Sequence, residues 1–119
     1  VPLHPVRERE RGCNQARLLA GEVAAVFPRA AVASVLRRIR PTRTQSTLRA
    51  PRERRRNIAG AFAVDAAAPP PRGHVLLIDD VVTTGCTVGE NAAVLLNAGA
   101  ASVDVLAPAL AVLRGEPLR

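Results

Sequence analysis

The chain has 119 residues, 48% of them apolar, which permits one domain with a buried core. Its formal net charge of +7 favours anionic partners such as phosphates or nucleic acid. All 17 basic residues are arginine, so reactions that need a lysine are excluded, among them Walker A phosphate binding and Schiff-base catalysis. The two cysteines, Cys13 and Cys86, are too few for a disulfide framework or a zinc set, so we expect a cytoplasmic protein. No apolar run is long enough to span a membrane, so we expect no membrane span.

The first half of the chain predicts a helix, two short strands and a long arm. Residues 12–27 carry apolar side chains at helical spacing and end before Pro28, which indicates an amphipathic helix. Residues 31–38 and 61–64 have the apolar pattern of strands. Residues 40–57 contain many Arg, Thr and Pro residues and almost nothing apolar, so we expect a long, exposed and flexible arm there.

A strand–helix–strand unit is predicted in the second half of the chain. Residues 75–78 form a short continuous apolar run, typical of a strand that is buried on both faces. We expect a helix over residues 87–98, with Gly99 in position for a left-handed C-cap, and a further strand over residues 102–107. Two strands joined in this way by a helix predict a parallel pair and an α/β fold.

The residues that follow the buried strand place acids and hydroxyls side by side, in the stretch "VLLIDDVVTTGCT" at 75–87. Asp79 and Asp80 stand at the carboxyl end of the predicted strand, where open α/β sheets bind their ligands. The next turn leads into a helix N-terminus, whose free amides and dipole favour an anion, and Gly85 allows the backbone to approach it closely. Because a carboxylate pair can bind a vicinal diol or hold Mg²⁺ through water, the combination matches a ribose with a 5′-phosphate.

Other interpretations use the same acids. The pair could be a solvated strand end followed by a capped turn, although two adjacent acids repel and need a compensating ligand or cation. Receiver domains and haloacid-dehalogenase-type phosphatases also place acids after an apolar strand. Both of those families use a later lysine, and this chain contains none.

The stretch at 75–87 resembles the PRPP (5-phosphoribosyl 1-diphosphate) motif of type I phosphoribosyltransferases. Two further segments, "VPLHPVRERERGCNQARLLA" at 1–20 and "RIRPTRTQSTLRAPRERRRNIAGAFAV" at 38–64, resemble the ComF family, whose members are cytoplasmic and linked to DNA uptake. The resemblance covers nearly the whole chain. It implies a type I phosphoribosyltransferase-like parallel sheet flanked by helices, and Mg²⁺-dependent transfer of phosphoribose from PRPP to an unidentified nucleophile.

The resemblance also implies a role for each residue of the motif. Asp79 and Asp80 would hold the ribose hydroxyls, act in catalysis and help to place Mg²⁺ indirectly, through PRPP and water. A loop after the first strand would face the diphosphate, with Leu3, His4 and Arg11 as its candidate residues. The 5′-phosphate would be bound by the amides and side chains of the turn, namely Thr83, Thr84, Gly85, Cys86 and Thr87.

The arm at 40–57 would correspond to the mobile loop that closes over the reacting centre. Departure of diphosphate concentrates negative charge on the leaving group, and guanidinium groups and Mg²⁺ offset that charge while a closed loop excludes water. Arg54 and Asn57 are therefore the candidate catalytic residues of the arm. The basic run at 52–56 could instead be a solvated surface or a patch that touches DNA phosphates.

Family members usually carry an N-terminal zinc-binding cysteine module, and neither that module nor most of the first strand is found at 1–119. We therefore expect one phosphoribosyltransferase-like domain, N-terminally truncated, with a sheet edge that allows a homodimer to form. Two functions stay open. One is an enzyme that transfers phosphoribose, and the other is a non-catalytic PRPP-binding or DNA-uptake accessory module.

Overall fold

The computed structural model describes residues 15–42, 50–79, 81–82 and 85–110. Within these ranges, helices and short strands alternate along the chain. The helices are α1 (Gln15–Val26), α2 (Pro51–Ile58) and α3 (Cys86–Asn97). The strands are β1 (Leu36–Arg38), β2 (Phe62–Val64), β3 (His74–Ile78), β4 (Val81–Val82), β5 (Ser102–Leu106) and β6 (Ala109–Leu110).

The predicted strand–helix–strand unit is confirmed. β3 and β5 are parallel, with His74 opposite Ser102 and Ile78 opposite Leu106, and α3 connects them. In the described part of the chain, β4 pairs in parallel with β6 and β1 pairs antiparallel with β2, so the strands form three small sheets. This mixture of helices and strands is compatible with the predicted α/β class.

The first helix and the first strand that the sequence predicts are both present among the described residues. The helix expected over 12–27 spans Gln15–Val26 among the described residues. The strand expected over 31–38 is limited to Leu36–Arg38, which pairs with the three residues of β2. Beyond that ladder, the N–H of Asp65 donates to the carbonyl of Val35 at 2.8 Å, and the chain then turns away.

The prediction of an arm without regular structure is wrong for residues 51–57, which form most of α2. Pro51 stands at the start of this helix, where its fixed φ and missing N–H are tolerated. Arg54 and Ile58, four residues apart on one face, are only 5% and 4% exposed, so the helix does have a buried side. At the other end, the Arg40 guanidinium donates to the Asn57 carbonyl at 2.8 Å and also to the carbonyl of Ala59.

α3 lies at the centre of the core. Its Val88 and Leu95 pack with Leu77 of β3 and the neighbouring strands. Its Cys86 and Val94 pack instead against a second apolar cluster, which consists of Ile58, Ala61 and Phe62. α3 therefore joins the parallel strands on one side to the α2 segment on the other.

The end of α3 has the predicted glycine cap. Gly99 follows the helix with a φ of +118°, in the left-handed region that L side chains rarely adopt. The chain then returns directly to β5, whose first residue is Ser102. Gly99 thus ends α3 at the end opposite residues 79–85, the segment that we call the acidic turn.

Candidate functional site

The candidate site begins where β3 ends. Asp79 follows Ile78 directly, and its N–H donates to the Leu106 carbonyl at 3.1 Å, which continues the β3–β5 ladder by one residue. The Asp79 side chain is half-buried. Asp79 therefore lies where the sequence predicts it, at the carboxyl end of a parallel strand. Asp80 lies outside the described residues.

The turn into α3 depends on Gly85. Its φ of +81° and ψ of 0° are left-handed, and it occupies the N-cap position of a helix of 12 residues. Gly89 N–H donates to the Gly85 carbonyl at 2.8 Å, which closes the first helical turn. Because glycine has no side chain, Gly85 itself makes no side-chain hydrogen bond to the first-turn amides, and amides at a helix N-terminus favour an anion. Thr83 and Thr84 lie outside the described residues.

Cys86 and Thr87, the first residues of α3, are half-buried. The Cys86 side chain packs against the cluster of Ile58 and Phe62, so its thiol contacts apolar groups of the fold. In this arrangement Cys86 can offer its backbone amide to an anion while its side chain anchors the turn. The family resemblance implies that both the amide and the side chain of Cys86 bind the phosphate.

Arg54 and Asn57 lie on α2, which packs against α3. Arg54 is the buried charged residue of that helix, and Asn57 is half-buried with its carbonyl bonded to Arg40. The structure therefore places both candidate residues on a regular helix beside the helix of the acidic turn. The predicted diphosphate-side residues Leu3, His4 and Arg11 lie outside the described residues.

Two residues of α3 escaped the sequence analysis. Asn91 is fully buried, its Nδ2 donates to the Thr87 carbonyl at 2.8 Å, and its Oδ1 has no hydrogen-bond partner in the described ranges. Glu90 Oε1 accepts the N–H of Gly60 at 3.0 Å and so ties α3 to the turn after α2. The sequence does contain a signal for Asn91, because its amide side chain stands among the apolar positions of the helix. The partner of Glu90 lies 30 residues away, and no local pattern reveals it.

The Glu90 contact predicts a measurable loss of stability. Replacement of Glu90 by alanine removes the acceptor for Gly60, and we expect the free energy of unfolding to fall by about 1 kcal/mol. Glu90→Gln keeps an Oε1 acceptor and should retain most of that stability. Urea denaturation followed by circular dichroism measures both, and an equal loss in the two variants would show that the hydrogen bond is not the cause.

A cavity of about 320 Å³ lies beside this region, between α1 and β3. Its walls are mainly alanine, valine and leucine side chains, and Arg17 is the charged residue among them. Neither Asp79 nor Gly85 lines it. We therefore separate this apolar cavity from the acidic turn and assign it no ligand.

The described residues contain no group of three or more His, Cys, Asp or Glu side chains suited to a metal ion. Mg²⁺ commonly takes one or two carboxylates and fills its remaining positions with water and phosphate oxygens, so a carboxylate such as Asp79 is a suitable ligand type. None of the described helices has the length and apolar character needed to cross a membrane.

The chain is similar to curated proteins named DNA utilization protein YhgH. The protein from Salmonella typhi is 43% identical over 106 residues, and that from Escherichia coli (strain K12) is 41% identical over 105 residues. Competence protein F from Haemophilus influenzae is 34% identical over 106 residues. No family model and no solved structure matches the chain.

Each of these alignments covers 88% of this chain but only 45% or 46% of the relative. The chain thus spans less than half the length of the curated relatives that it matches. Because the similarity extends over nearly all of it, identities of 34–43% support a ComF-like family for this chain.

Proposed function

We propose that the chain forms a Mg²⁺-dependent PRPP-binding domain that transfers phosphoribose to a nucleophile. One observation carries the proposal: Asp79 follows the carboxyl end of β3, and beyond the short strand β4 the left-handed Gly85 stands at the N-terminus of α3. This arrangement supports the proposal, because the carboxyl ends of parallel strands and the N-termini of helices are places where α/β proteins bind anionic ligands.

The 5′-phosphate is proposed to bind at the N-terminus of α3. The first-turn amides point out of that helix end, and the helix dipole adds a partial positive charge there. Gly85 brings the backbone close to the phosphate, and Thr83, Thr84 and Thr87 add hydroxyl donors. With charge-assisted hydrogen bonds of about 1.5–3 kcal/mol each, this turn would supply much of the affinity.

The ribose is proposed to bind at Asp79 and Asp80. Their carboxylates can accept hydrogen bonds from the 2′- and 3′-hydroxyls. Mg²⁺ in this position would offset the charge of the diphosphate and help to orient it, and Asp79 is the described carboxylate that can hold it through water. The two acids therefore serve the sugar and the cation together.

Arg54 and Asn57 are proposed to act at the diphosphate side. Since Arg54 is 5% exposed on a regular helix, its guanidinium is held in place before any ligand arrives. A preorganised cation is more effective against developing negative charge than one on a flexible segment, because less reorganisation is needed during the reaction. We accordingly assign this role to α2 as a fixed helix.

A second function is favoured by the names of the relatives. DNA utilization protein and competence protein F both name a connection with DNA or its uptake, and we propose such a connection for this chain as well. In that case the PRPP site could serve binding without turnover, as part of an accessory module. The two functions differ in whether diphosphate is ever released.

Release of diphosphate separates these functions. We expect ³¹P NMR of the chain with PRPP and Mg²⁺ to show diphosphate accumulating faster than in buffer alone, because even water can accept the ribosyl group slowly. The Asp79→Asn/Asp80→Asn variant should remain at the buffer rate. Tight PRPP binding with no enzymatic release, over a range of added nucleophiles, would favour the accessory module and contradict transfer.

A further inference from the structure

The structure divides the basic run at 52–56 into two parts. Arg54 is buried at 5% exposure, whereas Arg52, Arg55 and Arg56 are exposed. Residues three and four apart on a helix are neighbours on its surface, so these three guanidinium groups share the outward face of α2. We call Arg52, Arg55 and Arg56 the outer arginines.

The side-chain hydrogen bonds that the structure shows at the two ends of α2 are made by residues other than the outer arginines. At the C-terminal end, the carbonyls of Asn57 and Ala59 already accept hydrogen bonds from Arg40. At the N-terminal end, Glu53, the acid of α2, accepts the N–H of Ala50 at 3.4 Å through its Oε2. Three exposed positive charges therefore stand on one face of α2, apart from these contacts at its ends.

We propose that the outer arginines form a binding surface for the backbone phosphates of DNA, separate from the PRPP site to which Arg54 belongs. The inference rests on the connection with DNA proposed above, and it adds the surface and the chemistry. Guanidinium groups bind phosphate oxygens in bidentate fashion, and neighbours on a helix lie about 5–6 Å apart, so they can engage successive phosphates of one strand. The net charge of +7 attracts a polyanion over a longer range.

The aromatic residues point to phosphate contacts and not to base stacking. The chain has two, and Phe62 is buried, with the Arg38 guanidinium 4.9 Å above its ring centre. Only Phe27, which follows α1, exposes an aromatic ring. Binding through the outer arginines should therefore depend steeply on salt and little on base sequence.

Fluorescence anisotropy with a labelled single-stranded DNA of about 30 nucleotides, and with the matching duplex, tests this surface over a series of salt concentrations. Arg52→Gln/Arg55→Gln/Arg56→Gln should weaken binding at least about tenfold and reduce the slope of log K against log salt by about 2–3. Its PRPP affinity should equal that of the wild type. Comparison of the single-stranded DNA with the duplex shows which of the two the chain prefers. A preference for either one supports the phosphate-binding surface.

A matched control removes the same charge elsewhere. Arg29, Arg37 and Arg72 are exposed residues outside α2, and their triple glutamine variant should keep most of the affinity and the salt slope. Glutamine is close to arginine in helix propensity, and circular dichroism together with the single variant Arg56→Gln guards against a loss of folding.

Three results would overturn the proposal. Equal weakening by both triple variants would show that net charge, and not this face, attracts DNA. Wild-type DNA binding by the α2 variant would place the contact elsewhere while the connection with DNA stands. If the wild-type chain bound PRPP but no DNA, the proposed connection with DNA would be contradicted and the proposed PRPP site would stand.

Discussion

Replacement of Gly85 by valine should lower the affinity for PRPP by about 100-fold or more. The φ of +81° at this residue is left-handed, and a β-branched side chain strongly disfavours that region. Among the described residues, an added Cβ would meet no atom within 4 Å, so the expected effect is argued from the backbone conformation. If the turn relaxes, one or two phosphate hydrogen bonds are lost, each worth about 1.5–3 kcal/mol.

Isothermal titration with PRPP and Mg²⁺ measures this effect, and Gly89→Ala provides the control. Gly89 lies in the same helix, has a helical φ and would also receive its Cβ in open space. Alanine there should leave the PRPP affinity unchanged and stabilise the helix by about 0.5–1 kcal/mol. If a folded Gly85→Val variant bound PRPP with wild-type affinity, the 5′-phosphate would have to bind elsewhere.

The double substitution Asp79→Asn/Asp80→Asn should have the largest effect, a loss of PRPP affinity of about 1,000-fold. Asparagine keeps the size of each side chain but removes both negative charges, so the charged acceptors for the ribose hydroxyls and the ligands for Mg²⁺ disappear together. Loss of two charge-assisted interactions corresponds to about 3–6 kcal/mol. The remaining binding should no longer respond to Mg²⁺.

Asp104→Asn is the control for this variant. Asp104 is exposed on β5, the strand that pairs with β3, so its substitution removes one negative charge outside the acidic turn, where the double variant removes two. Its affinity for PRPP should remain close to that of the wild type. If the double variant still bound PRPP with undiminished dependence on Mg²⁺, the ribose and the cation would have to lie elsewhere.

The part of the fold that the sequence predicts well is the part with local signals. The apolar run before Asp79 and the helical spacing after Gly85 identify β3 and α3 by their own side chains. Gly99 marks the end of α3 through the conformation that only glycine adopts readily. These signals need no knowledge of distant residues.

α2 is different because its stability comes from partners that are distant in sequence. Its sequence PRERRRNI is strongly polar, so periodicity finds no apolar face. The helix is nevertheless anchored by a buried Arg54, by Ile58 against α3 and by Arg40, which is 17 residues from its acceptor Asn57. Tertiary contacts of this kind override a local composition that suggests a loop.

The same distinction applies to the candidate site. The motif located Asp79 and Gly85 at the correct ends of β3 and α3, because strand, turn and helix adjoin in sequence. The sequence also named Arg54 but assigned it to a mobile arm, since burial of an arginine depends on the surrounding fold. The contact between Glu90 and Gly60 is likewise visible only once α3 and the α2 turn are brought together.

Calorimetric titration of the wild-type chain with PRPP, with and without Mg²⁺, tests the central claim most directly. The proposed site predicts a one-to-one complex with a dissociation constant near the micromolar range, a binding free energy of about −8 kcal/mol, and a marked weakening when Mg²⁺ is removed. A chain that is folded by circular dichroism and binds no PRPP at millimolar concentration with Mg²⁺ present would contradict the assignment of this turn as a PRPP site.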